Sequence, residues 1–160
     1  MRGGFLPPAL LCCALGLVLA FVPLRQALLA AALMAAAAIA AFAIGPSDAW
    51  IEPIFVGCWL SVIGCALLLL RREQGPASLY FAAALNAGLW VGAVSSVAGG
   101  ARDLLIALPF VLALVPGREL VARDWDIGLK VVASWLTAVA ILATMVSLTP
   151  TPGYAPDHME

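Results

Sequence analysis

Six stretches of this chain, 5–24, 27–45, 54–70, 77–98, 104–117 and 131–149, contain no Asp, Glu, Lys, Arg or His. A helix rises about 1.5 Å per residue, so about 20 apolar residues cross the hydrocarbon core of a bilayer. Inside that core no water satisfies backbone N–H and C=O groups, which leaves the helix as the economical form for such a run. Composition agrees. The chain is 64% hydrophobic and 11% charged, against roughly 25% charged residues in soluble domains. Its mean hydropathy is +1.09. The expectation is an all-α, polytopic transmembrane bundle over residues 1–149, followed by a Pro-rich acidic tail at 150–160.

Five of the six runs are long enough to span unaided. The fifth, 104–117, has 14 residues and contains Pro109, which removes an internal hydrogen bond. It crosses if Arg102 and Arg118 snorkel at its ends; otherwise it is a re-entrant segment, and five spans remain. Charge bias separates the two cases, because Lys and Arg accumulate in short cytoplasmic loops. With six spans, Arg25, Arg71, Arg72, Arg118, Arg123 and Lys130 share one face, and Arg2 and Arg102 share the other. A re-entrant fifth run reduces that bias from six against two to five against three. Six spans in an inner membrane, with both termini on the outer side, is therefore the expected topology. A secretory signal ending near Val18, Leu19 and Ala20 would instead put Arg25 outside, against the bias.

Between the runs the loops are short. The longest, 118–130, carries three cations, three anions and Trp125, and is expected to be a solvated connector or a short amphipathic helix at the interface. A net charge of −1 leaves no footprint for nucleic acid. The expected partners are membrane lipids and other membrane subunits, or a second copy of the chain.

Helices in lipid associate by close packing, so small residues spaced by four mark contact faces. The fourth run carries Ala84, Gly88, Gly92, Ser96 and Gly100, and the third carries Gly57, Ser61 and Gly64. The second run holds eleven alanines between Ala27 and Ala43. Alanine gains little from lipid compared with leucine, so this helix is expected to sit centrally or against another protein.

Chemistry at depth requires groups that change charge or hold an ion, and the runs contain none of the five ionisable types named above. Proton pumping, midplane ion pairs, haem ligation and membrane metalloproteolysis are thereby disfavoured. Ser95, Ser96 and Thr137 have no titratable neighbour at similar depth to activate them as nucleophiles. The chain is accordingly expected to be neither an enzyme nor a holder of a metal or other cofactor. Asn86 is the only carboxamide at depth, and it either lines a path for a neutral solute or bonds to a neighbouring helix. At the outer face Asp48, Glu52 and Asp103 form a candidate cation site that is more simply a salt-bridged membrane edge.

Cys12, Cys13, Cys58 and Cys65 form no C-x-x-C pair and are expected to pack as small apolar residues, with soft-metal handling as the alternative. Ala49, Trp50 and Ile51, followed by Pro53 to Gly57, resemble the connector into the second span of mercuric-ion uptake proteins. In that family a vicinal cysteine pair lies in the span directly before the connector. Here that span has no cysteine and Cys12-Cys13 lies one helix earlier, so the resemblance assigns no function. Two readings follow: a non-catalytic subunit or assembly partner of a larger membrane complex, or a small channel or carrier for a neutral solute or soft metal ion.

Overall fold

A computed structural model describes residues 5–47, 50–71, 75–123 and 125–148. Among them the elements are α1 (Leu6–Leu19), α2 (Leu24–Ile44), α3 (Ile51–Leu70), α4 (Ala77–Ala98), α5 (Ala101–Ala107), a 3₁₀ stretch (Leu108–Ala113), α6 (Leu114–Ala122) and α7 (Asp126–Leu148). Five helices are long and apolar enough to cross a membrane: Leu24–Ile44, Ile51–Leu70, Ala77–Ala98, Ala101–Ala122 and Ile127–Val146.

The short helix is the first one, not the fifth. α1 ends at Leu19 because Pro23 disfavours helical geometry at Val22 and begins the next helix. Ala20, Phe21 and Val22 close the end with i→i−3 bonds to Leu17, Val18 and Leu19. Counting apolar residues up to Arg25 overlooked that proline. Its 14 residues reach about 21 Å, short of the roughly 30 Å hydrocarbon core.

The fifth run extends in both directions, so that α5, the 3₁₀ stretch and α6 form one continuous helical segment, long and apolar enough to cross a membrane, with no turn back. Pro109 tightens the middle into 3₁₀ geometry instead of breaking it. Pro53 sits in the first turn of α3, where its missing N–H is no loss. The 118–130 loop is shorter than expected, since α6 continues to Ala122 and α7 starts at Asp126. Among the described residues no separate interfacial helix forms there. Gly45, with φ of +59°, ends α2 in a conformation that favours glycine.

α1 is the core of the bundle. Leu11, Cys12, Ala14, Leu15 and Leu19 are fully buried, and α1 packs against α3, α4 and the whole α5–α6 span. Such a helix has little lipid to match, which accommodates its shortness. α2, expected to sit centrally or against another protein, lies at the periphery of the bundle and packs chiefly along α4. α7 packs chiefly on α3.

Contact registers give the helix directions. Gly88 faces Met34 and Ala37 while Gly92 faces Ala38 and Ala41, so α2 and α4 run parallel. Gly57 meets Trp90 and Ser61 meets Asn86, so α3 and α4 run antiparallel. Gly16 faces Val111 and Leu114 while Gly117 faces Leu17 and Ala20, so α1 runs parallel to the fifth span.

Arg118 ties the end of α1 to that span. Its Nη1 donates to the Val22 carbonyl at 2.8 Å, an acceptor that the end of the helix leaves without an intrahelical donor. Replacing Arg118 by Leu is expected to cost about 1.5 kcal/mol, in the range for hydrogen bonds to charged groups. Arg118→Lys should retain part of it. Unfolding in mixed micelles checks this, and equal midpoints for the native chain and Arg118→Leu would count against the tie.

Candidate functional site

Polar side chains within the helices mostly bond to their own backbones. Thr137 donates to Ala133, Thr144 to Ala140, Ser134 to Lys130 and Ser96 to Ala93, all between 2.7 and 2.8 Å. This pattern satisfies a hydroxyl in lipid with no help from a neighbouring helix. Ser95 differs: it is fully buried and its Oγ has no hydrogen-bond partner among the described residues.

One polar chain links two helices. Trp90 Nε1 donates to Asn86 Oδ1 at 3.0 Å, Asn86 Nδ2 donates to Ser61 Oγ at 2.8 Å, and Ser61 Oγ donates to the Gly57 carbonyl at 2.9 Å. Helical spacing produces it: Gly57 and Ser61 are one turn apart on α3, and Asn86 and Trp90 one turn apart on α4. Gly57 is where the indole fits, for a Cβ there would lie 2.7 Å from Trp90 Cζ3.

Around this chain α3 and α4 leave an open groove of about 530 Å³ on the outside of the bundle. Leu60, Gly64, Cys65, Leu68, Leu79, Ala82 and Ala83 complete its walls. Asn86 is exposed there, so the only deep carboxamide lies on the flank of the bundle rather than beside its central helix. Gly64 has open space in front of it and supplies groove floor rather than a close helix contact.

The other singled-out residues fall elsewhere. Ala84, Gly88 and Gly92 are buried on α4, with Gly88 and Gly92 against α2. Ser96 is half-buried and bonds within α4, and Gly100 has nothing in front of it. Glu52 is exposed in the first turn of α3. Asp103 lies in the first turn of α5, close to Gly99. Asp48 lies outside the described residues, as does the 150–160 tail. The structure brings no partner to Glu52 among the described residues.

Cys12, Cys58 and Cys65 join one buried cluster, with Cys13 packed at its edge, and all four are free thiols. Among the described residues no group of three or more His, Cys, Asp or Glu is placed to hold a metal ion. Sequence reasoning picked out Asn86 but not Trp90, whose part depends on the indole N–H lying one turn from the carboxamide. No family model, curated protein or solved structure matches the chain.

Proposed function

We propose that the chain is a non-catalytic subunit or assembly partner of a larger inner-membrane complex, crossing six times with both termini outside. The observation that carries this reading is the outer face of α2. Leu28, Ala32, Ala36 and Ala40 succeed one another at four-residue spacing, and all are exposed, while the opposite side of α2 packs on α4. Alanine gains little from lipid but lets another helix approach closely. The side chains inside the bundle support the same reading, because α1 fills its axis and the hydroxyls of the spans bond mostly to their own helices.

Six crossings draw support from direction. α1 runs parallel to the fifth span, as two odd-numbered crossings must, and the Arg118–Val22 bond joins the α1–α2 turn to the end of α6. On this reading Arg25 and Arg118 share one face, the cation-rich one. A cysteine introduced at Ala122 is then expected to react with an impermeant maleimide only after cells are opened, and one at Ala101 without opening. The reverse pattern, or equal labelling, would defeat the topology.

Association is tested by extracting a tagged chain in mild detergent and identifying by mass spectrometry what travels with it. Different polypeptides in fixed ratio are expected, and their loss in Ala32→Phe/Ala36→Phe without change in the chain's own unfolding midpoint. Recovery of this chain with no other polypeptide would refute the subunit reading.

A further inference from the structure

Asn86 retains unused hydrogen-bonding capacity midway along α4, a helix long and apolar enough to cross a membrane. A carboxamide offers two N–H donors and an oxygen with two lone pairs. Ser61 accepts from one N–H and the Trp90 indole N–H donates to one lone pair of Oδ1, so one donor and one acceptor remain on an exposed side chain. The surroundings are otherwise apolar: Leu60, Leu85 and Leu89 are exposed at 56%, 44% and 46%. Beside the carboxamide the surface is shallow, for Ala82 is exposed, Ala83 is half-buried and Gly64 faces open space.

We propose that two copies of the chain pair about a twofold axis at the α3–α4 groove, Asn86 facing the partner's Asn86. A twofold interface brings the same patch to itself, and a spare donor beside a spare acceptor on one amide is self-complementary. Each carboxamide then donates one N–H to the oxygen of the other, and the unused capacity on both sides is satisfied. A lipid tail provides neither group, and an unrelated helix would need its own amide at the same depth. The small floor formed by Gly64, Ala82 and Ala83 admits the close approach that these bonds require. The pairing is independent of the subunit reading, since that reading concerns the outer face of α2, on a different helix.

Two measurements on the native chain test the pairing: its mass by native mass spectrometry, and energy transfer between donor- and acceptor-labelled copies in phosphatidylcholine vesicles diluted stepwise with lipid. The expected results are a species at twice 16.5 kDa and transfer that falls with dilution along a monomer–dimer curve. Ala82→Trp, one turn from Asn86 on the same face, fills the groove floor and should leave monomer. Asn86→Leu should weaken pairing roughly fivefold to thirtyfold, the effect expected of interhelical polar bonds in lipid. Ala36→Trp, on α2, should leave pairing unchanged. A monomeric native chain overturns the proposal. So does a dimer indifferent to Ala82→Trp, or a monomer carrying an amphiphile that Ala82→Trp displaces, since the groove would then be a lipid site. If either variant fails to fold, the native-chain measurements decide. Loss of foreign polypeptides with the α2 variants would bear on the subunit reading alone.

Discussion

Replacing Gly92 by alanine, a change of one methyl group, is expected to push α2 away from α4. A Cβ at Gly92 falls 2.8 Å from Ala41 Cβ and 2.9 Å from the Ala38 carbonyl carbon, with the carbonyl oxygen nearer still. Gly88 repeats this one turn earlier against Met34 and Ala37. Most of these atoms are backbone, which cannot turn aside as a side chain can. Overpacking of this kind costs about 1–3 kcal/mol per site, and α2 has few other contacts to hold it. The Gly88→Leu/Gly92→Leu chain should not recover a folded α2–α4 pair at all. Gly64→Ala is the matched control, since its Cβ meets nothing and alanine is the better helix former by about 0.5–1 kcal/mol. Unfolding midpoints in mixed micelles should fall for Gly88→Ala and Gly92→Ala and hold or rise for Gly64→Ala. The same midpoint for all three would mean that the α2–α4 contact is not this tight.

A comparable loss is expected from Gly16→Leu on α1. There a Cβ would lie 2.5 Å from the Val111 carbonyl oxygen and 3.1 Å from the Leu114 nitrogen, both main-chain atoms of the fifth span. The 3₁₀ stretch brings Val111 to this position, and Pro109 sets the stretch. Moving α1 outward would also strain the Arg118–Val22 bond and the packing of α3 and α4, which share α1 as a neighbour. Gly16→Ala should already lower the midpoint by about 1–3 kcal/mol, and the leucine variant should leave little monodisperse protein after extraction. A fully stable Gly16→Leu chain would show that α1 and the fifth span are not in backbone contact.

Much of this architecture is legible along the chain, and the failures have physical causes. The charge-free runs locate the long helices, and the four-residue spacing from Ala84 to Gly92 locates the face that meets α2. Run length misjudges the first helix, read as long enough to span, and the fifth, read as short, because it counts apolarity and ignores backbone constraint. Pro23 shortens α1, whereas Arg102 and Arg118 lie within the fifth span without interrupting it. The central position also escaped the sequence. Alanine content marks α2 as poorly served by lipid, but not which neighbour compensates, and the four-residue spacing of Cys12, Gly16 and Ala20 marks a contact face on α1 but not its central place. At the groove, Ser61 and Asn86 are visible as polar residues at depth. That they meet depends on the antiparallel register of α3 and α4, which no local pattern encodes.

The position of α1 sets an order of events during synthesis. α1 is made before the helices it packs against: α3, α4 and then the segment that ends at Ala122. Until that span emerges, Gly16 and Gly117 have no surfaces to meet, and Arg118 has not reached Val22. A 14-residue helix too short for the hydrocarbon core must therefore wait, half-clothed, through the translation of about a hundred further residues. A ribosome stalled after Ala98 should hold an α1 that is still open to lipid on the side that the fifth span later covers.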